Sequence, residues 1–123
     1  MGWDNYTFNY YYKKYGFISL DDPEPIDHSV ENRPSEINSF WVRWVYIEKS
    51  RIITHRLDGP ATIDRDGNGI QWYCHNQNIE KWLKLNNIDK YNPTNDDILL
   101  IKLTFGLLDE KSTKNLIYNI NHS

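Results

Sequence analysis

The hydrophobic pattern changes period near Asn78, and this change constrains the fold more than any other feature of the chain. Ahead of it, apolar residues alternate or form short aromatic and β-branched blocks between turn residues; beyond it they recur at helical spacing. From Tyr6 to Phe17, Tyr6, Phe8, Tyr10 and Tyr12 alternate with Thr7, Asn9, Tyr11 and Lys13. That predicts a strand with one buried face, although a helix would also align Phe8, Tyr11, Tyr12 and Tyr15. Asp21-Asp22-Pro23-Glu24-Pro25 predicts a surface connector, because both prolines lack the amide donor and push their neighbours out of the helical region. Phe40 to Ile47, apolar on both faces apart from Arg43, predicts a central strand that pairs with Ile52-Ile53-Thr54 across the turn Glu48-Lys49-Ser50-Arg51. Asp58-Gly59-Pro60 predicts a tight turn, since Gly59 can take a positive φ and Pro60 fixes its own. Ala61 to Asp64 and Ile70 to His75 then form two strands joined by Arg65-Asp66-Gly67-Asn68-Gly69.

Past Asn78, Ile79, Trp82 and Leu83 share one helical face, with Asn78 as cap and Asn86-Asn87 as stop. Thr94 and Asp97 stand at capping-box spacing ahead of Ile98, Leu99, Leu100, Ile101, Leu103 and Phe105, and Gly106 is placed to end that helix. A helix apolar nearly all round is expected to be buried on more than one side, by the sheet and the last helix or by a second chain of a homo-oligomer. Leu108, Ser112, Leu116, Ile117 and Ile120 predict a final amphipathic helix, with Asn119 to Ser123 expected to fray. The expected architecture is a single α+β domain over residues 1–123. An antiparallel, hairpin-built sheet occupies 1–77 and a cap of two or three helices occupies 78–123.

Composition removes several function classes. The 123 residues carry 14 Lys+Arg against 17 Asp+Glu, and the net charge of −3 does not suit a module that binds nucleic acid by neutralising phosphates. The single cysteine, Cys74, excludes an intramolecular disulfide and a thiolate zinc site, which fits a reducing, cytoplasmic location. No apolar run is long enough to span a membrane, the first residues do not resemble a signal peptide, and Tyr6 stands where a myristoylation motif needs Ser or Thr.

A faint internal repeat runs through the β region. His28-Ser29-Val30-Glu31-Asn32-Arg33-Pro34-Ser35 echoes His55-Arg56-Leu57-Asp58-Gly59-Pro60-Ala61, with the two prolines 26 residues apart. Trp44 lies ten residues past Pro34 and Trp72 twelve past Pro60, each closely followed by a tyrosine, Tyr46 or Tyr73. The second copy, with Asp66-Gly67 and then Trp72-Tyr73 after the Asp-Gly-Pro-Ala run, resembles a short β-hairpin repeat. That repeat, loosely similar to the MORN repeat, recurs in mostly uncharacterised proteins of tailed bacteriophages and large DNA viruses. The resemblance covers His55 to Asn76 well and His28 to Tyr46 less closely, since Asn32-Arg33-Pro34 replaces Gly-Pro in the first copy. It implies a small viral protein of the host cytoplasm that acts by binding a host protein, in the service of countering host defence.

The constellations that carry chemistry are weaker. Asp64-Arg65-Asp66-Gly67-Asn68-Gly69 matches the first half of an EF-hand loop, but the twelfth position is His75 instead of glutamate, and a polar turn is the expected role. His55, Asp58 and His75 form the one candidate acid–base or metal cluster, with turn stabilisation as the commoner use of such residues. Cys74 shares the alternation of Ile70 and Trp72 and is expected to be a core thiol, pointing away from its neighbour His75. No nucleophile–base pair, carboxylate dyad, metal site or cofactor motif emerges, so a non-enzymatic role without cofactor is expected. What remains is the aromatic excess: Trp41, Arg43, Trp72, Tyr73 and Tyr11 among the N-terminal tyrosines, with Arg56, are the candidate binding residues. A protein partner would meet these rings as a flat patch. The competing reading is a nucleotide-like small molecule stacked in a pocket, with Arg43 or Arg56 on its phosphate.

Overall fold

The computed structural model describes residues 7–20, 33–66, 69–106 and 110–122. The Asp21–Pro25 connector, the first-copy residues His28 to Asn32, Leu108 and the tip of the Asp66–Gly69 turn lie outside them.

The first element is a helix, not the expected strand: α1 spans Phe8–Tyr15. Thr7 caps it, its hydroxyl accepting the Tyr10 amide at 3.2 Å, and Gly16 ends it with φ 71°, a conformation that favours glycine. Local capping therefore decides between the two periods that the aromatics satisfy, and Phe8 and Tyr11 form its buried seam. Beyond the helix, Ile18 exchanges both backbone hydrogen bonds with Ile37, 3.1 Å each.

Among the described residues eight short strands follow: β1 Glu36–Ile37, β2 Trp41–Arg43, β3 Val45–Glu48, β4 Arg51–Thr54, β5 Thr62–Asp64, β6 Ile70–Gln71, β7 Tyr73–Cys74 and β8 Gln77–Asn78. They form an antiparallel sheet in the order β1-β2-β5-β6 and two separate hairpins, β3-β4 and β7-β8. The runs Phe40 to Ile47 and Ile70 to His75, each expected as one continuous strand, are broken at Trp44 and Trp72. In each case the chain leaves the four-stranded sheet at a fully buried tryptophan and enters a hairpin.

The internal repeat is visible in the register. Glu36 pairs with Arg43 and Ile37 with Val42 in the first unit; Thr62 pairs with Gln71 and Ile63 with Ile70 in the second. The Ser35 amide donates to the Arg43 carbonyl at 2.8 Å, as the Ala61 amide donates to Gln71 at 2.9 Å. After each hairpin the chain returns to its tryptophan: His55 N–H donates to the Trp44 carbonyl, Ile79 N–H to that of Trp72, each at 3.0 Å. The equivalence places Val45 opposite Tyr73 and Tyr46 opposite Cys74, so the two tyrosines do not correspond. Ile37, Val42, Ile63 and Ile70 line the inner face of the sheet, and period-two alternation sends Glu36, Arg43, Thr62 and Gln71 to the other.

Three helices cap the core: α2 Glu80–Leu85, α3 Asn95–Phe105 and α4 Glu110–His122. Asn78 accepts the Glu80 amide at 2.9 Å, and Trp82 and Leu83 face inward as predicted. The α3 capping box is complete: the Thr94 hydroxyl accepts the Asp97 amide at 3.1 Å while the Asp97 carboxylate accepts the Thr94 amide at 2.9 Å. Within the chain, the sheet and the last helix do not cover α3 on several sides. Ile101 and Phe105 form one buried seam, Phe105 edge-on to Trp82 at 4.9 Å, while Leu99, Leu100 and Leu103 face outward, Leu103 at 70% exposure. In α4, Thr113 is buried and Leu116, Ile117 and Ile120 pack half-buried against the core, and the helix runs through His122, past the expected start of fraying at Asn119. Among the described residues no helix is long and apolar enough to cross a membrane.

The capping box yields a direct prediction. Thr94→Ala removes one half of it and is expected to lower stability by about 1 kcal/mol, read as a shift of the urea midpoint at unchanged slope.

Candidate functional site

The residues of the His-Arg-x-Asp-Gly-Pro-Ala run converge in the interior. Arg56 is 3% exposed. Its guanidinium lies 3.9 Å above the Trp44 ring, and its Nε donates to the Asp58 carboxylate at 2.6 Å. One terminal nitrogen donates to the Pro60 carbonyl at 3.1 Å and the other to the Tyr11 hydroxyl at 3.2 Å. The buried cation is thus stacked, paired and hydrogen-bonded on every side, as a charge removed from water requires. Gly59 does not adopt a positive φ. A Cβ there would sit 2.5 Å from the guanidinium carbon, so this position is glycine for space.

The remaining members of the run are structural as well. His55 is fully buried and its Nδ1 accepts the His75 amide at 2.9 Å, so its proton sits on Nε2. His75, at φ 50° in the β7–β8 turn, donates from Nε2 to the Phe105 carbonyl at 2.9 Å, which leaves Nδ1 to accept the Tyr46 hydroxyl at 3.2 Å. The two histidines therefore couple the turn to α3 and to β3, while Asp58 serves Arg56. Cys74 is buried with its thiol on the Arg56 carbonyl at 3.5 Å. No group of three metal-ligating side chains occurs among the described residues.

The six candidate binding residues divide accordingly. Arg56, Tyr11 and Trp72 are corrections: all three are buried, Trp72 with its indole N–H on the Lys90 carbonyl at 3.1 Å, and none can meet a partner at the surface. Trp41, Arg43 and Tyr73 are half-buried; the first two lie on the sheet strand β2 and Tyr73 on the separate β7-β8 hairpin. Glu36 organises the first two, accepting Trp41 Nε1 at 2.6 Å and Arg43 Nε at 2.9 Å, with the guanidinium 5.1 Å from the indole centroid. The Tyr73 hydroxyl reaches back to the sheet, donating to the Gln71 side chain at 3.3 Å.

From Trp41 a band of rings runs to the end of α1. Phe40 lies 6.0 Å from Trp41; Arg65 donates its amide to the Phe40 carbonyl at 2.9 Å and places its guanidinium 6.0 Å from Phe8. Phe8 stacks on Tyr12 at 5.8 Å, and Tyr12 meets Phe17 edge-on at 5.0 Å. Phe17 and Phe40 are 64% and 69% exposed. Phe40, Phe17 and Arg65 were not singled out in the sequence, because their neighbourhood depends on α1 being a helix that packs on β2. Neither Arg43 nor Arg56 lines the cleft of about 520 Å³ beside the β3-β4 hairpin or that of about 1020 Å³ beside α2.

No protein-family model, no curated protein and no solved structure matches the chain.

Two predictions follow from the Arg56 cluster. Gly59→Ala drives a methyl into the guanidinium and is expected to destabilise by about 2 kcal/mol, measured by urea unfolding. Burial pushes the Tyr11 phenol above its ordinary value, and the neighbouring Arg56 pulls it only part of the way back. Because the folded state holds this proton more tightly, its contribution is complete below the unfolded phenol pKa of about 10 and is lost as the pH rises through the folded value. The melting temperature should therefore fall more steeply between about pH 9 and pH 11 than that of Tyr11→Phe.

Proposed function

We propose that the protein is a non-enzymatic binding domain that engages another protein through the aromatic band on its sheet face. The observation that carries the reading is the series Phe17–Tyr12–Phe8–Arg65–Phe40–Trp41–Arg43, in which the exposed rings Phe17, Tyr12 and Phe40 are linked through buried Phe8 and half-buried Trp41 to two guanidinium groups. Aromatic and arginine side chains concentrate binding energy at protein interfaces, and large rings exposed side by side are uncommon on surfaces without a partner. The complementary surface would offer apolar side chains to Phe17 and Phe40 and a carboxylate to Arg65. The resemblance of His55 to Asn76 to phage and viral hairpin repeats supports a host protein as the partner, with host defence as the process countered.

Immobilised protein exposed to bacterial lysate, with mass spectrometry of the retained fraction, tests this reading. Wild type is expected to retain a protein that the Phe17→Ser/Phe40→Ser double variant loses, and these exposed positions should change stability by no more than about 0.5 kcal/mol each. Identical retained sets from the two proteins, or none above the bead background, would remove the reading.

A further inference from the structure

A second site lies elsewhere in the fold. The β3-β4 hairpin, the β7–β8 turn and the first turns of α4 enclose a cleft of about 520 Å³, the size of pockets that take small organic ligands. Lys49 and Arg51 enter it from the hairpin, Lys111 and Lys114 from α4, and among the residues whose side chains are described the only carboxylate in its lining is Glu48. Glu48 stands directly opposite Arg51 across the hairpin, so even with that pair balanced the three lysines converge on one space. Among the residues whose side chains are described, no carboxylate pairs with Lys49, Lys111 or Lys114. A chain of net charge −3 thus gathers four cations around a single cavity.

Two of these cations occupy positions that local structure disfavours. Lys49 sits at φ 50° with Ser50 at φ 64°, in a two-residue hairpin turn whose left-handed conformations suit Asn and Gly far better than lysine. Lys111 lies in the first turn of α4, where the helix dipole repels a cation. Lys111 and Lys114, three residues apart, share one face of that helix. The wall of the cleft is rigid. Tyr46 and His75 line it and are tied to each other, and His75 is anchored on the Phe105 carbonyl.

We propose that this cleft binds a small phosphorylated ligand bearing two or more phosphate groups on a hydroxyl-bearing unit, of the nucleoside polyphosphate class. Cations from two separate elements, approaching from different sides, match several anionic charges spread over a few ångströms better than one carboxylate. Lysines act on phosphate as point charges and need no planar fork. Glu48, an acceptor among donors, provides for a ligand hydroxyl. The site shares no residue with the aromatic band, so it stands or falls independently of the protein-binding reading.

Isothermal titration of the full chain with ATP, AMP and tripolyphosphate tests the proposal. ATP should bind 1:1 with a submillimolar Kd, AMP at least about tenfold more weakly, and the affinity should fall between about 50 and about 300 mM salt. Tripolyphosphate binding as tightly as ATP would reduce the determinant to the phosphates and overturn the hydroxyl-bearing part. Lys111→Gln/Lys114→Gln should weaken ATP by about tenfold or more while Lys13→Gln, on α1, leaves it unchanged. Circular dichroism and the melting temperature confirm that the variants fold. The absence of saturable heat with ATP and tripolyphosphate up to about 5 mM, a double variant within about twofold of wild type, or tighter binding of a single-stranded oligonucleotide than of ATP would each overturn the site.

Discussion

A single buried guanidinium organises the β region. Arg56 joins α1 through Tyr11, the end of β2 through Trp44, and its own turn through Asp58 and Pro60, so three segments distant in sequence share one charge. Burial opposes that charge, but the Tyr11 and Asp58 contacts outweigh it and hold Arg56 above its ordinary pKa, fully protonated. Such a group is tolerated only when every neighbour is in place, because an unpaired buried ion is far more unfavourable than a paired one. The arrangement also explains the composition of the motif. Asp58 balances the charge, Gly59 leaves the space and Pro60 presents a carbonyl. Buried Ala61 offers both backbone groups, its amide to Gln71 and its carbonyl to Trp44.

The paired units differ in ways that follow from this centre. Trp72 satisfies its indole N–H on Lys90, whereas the Trp44 indole N–H has no hydrogen-bond partner among the described residues and its ring face is given to Arg56. Where the second unit has Ala61, the first has Ser35, whose hydroxyl both donates to the Val45 carbonyl at 2.7 Å and accepts the Val45 amide at 2.9 Å. One unit is fastened by a side-chain cation, the other by a side-chain hydroxyl.

The α+β division at Asn78, the hairpins, the α3 capping box and the two-residue offset between the repeat copies were legible because each depends on neighbours in sequence. Three features were not. The alternation from Tyr6 to Tyr12 satisfies a strand as well as a helix, and the Thr7 and Gly16 caps decide the matter. The apolar run around Trp44 reads as one strand because local preference cannot show a chain leaving one sheet for another. Arg56, Tyr11 and Trp72 were read as candidate binding groups because charge and aromaticity usually mark surfaces, yet here the tertiary fold uses them as internal fasteners. The aromatic band and the cationic cleft both arise from pairings of distant elements, Arg65 with Phe8 in one and Lys114 with Lys49 in the other.

The sheet grows by repetition, and repetition has no intrinsic end: each hairpin unit presents an edge on which another could be laid. The flanking elements meet this problem. Ile18 pairs with β1 on one side, while α4 packs on β8 and α2 beyond the second hairpin. On the β1 side the covering residue, Ile18, comes from outside the repeat.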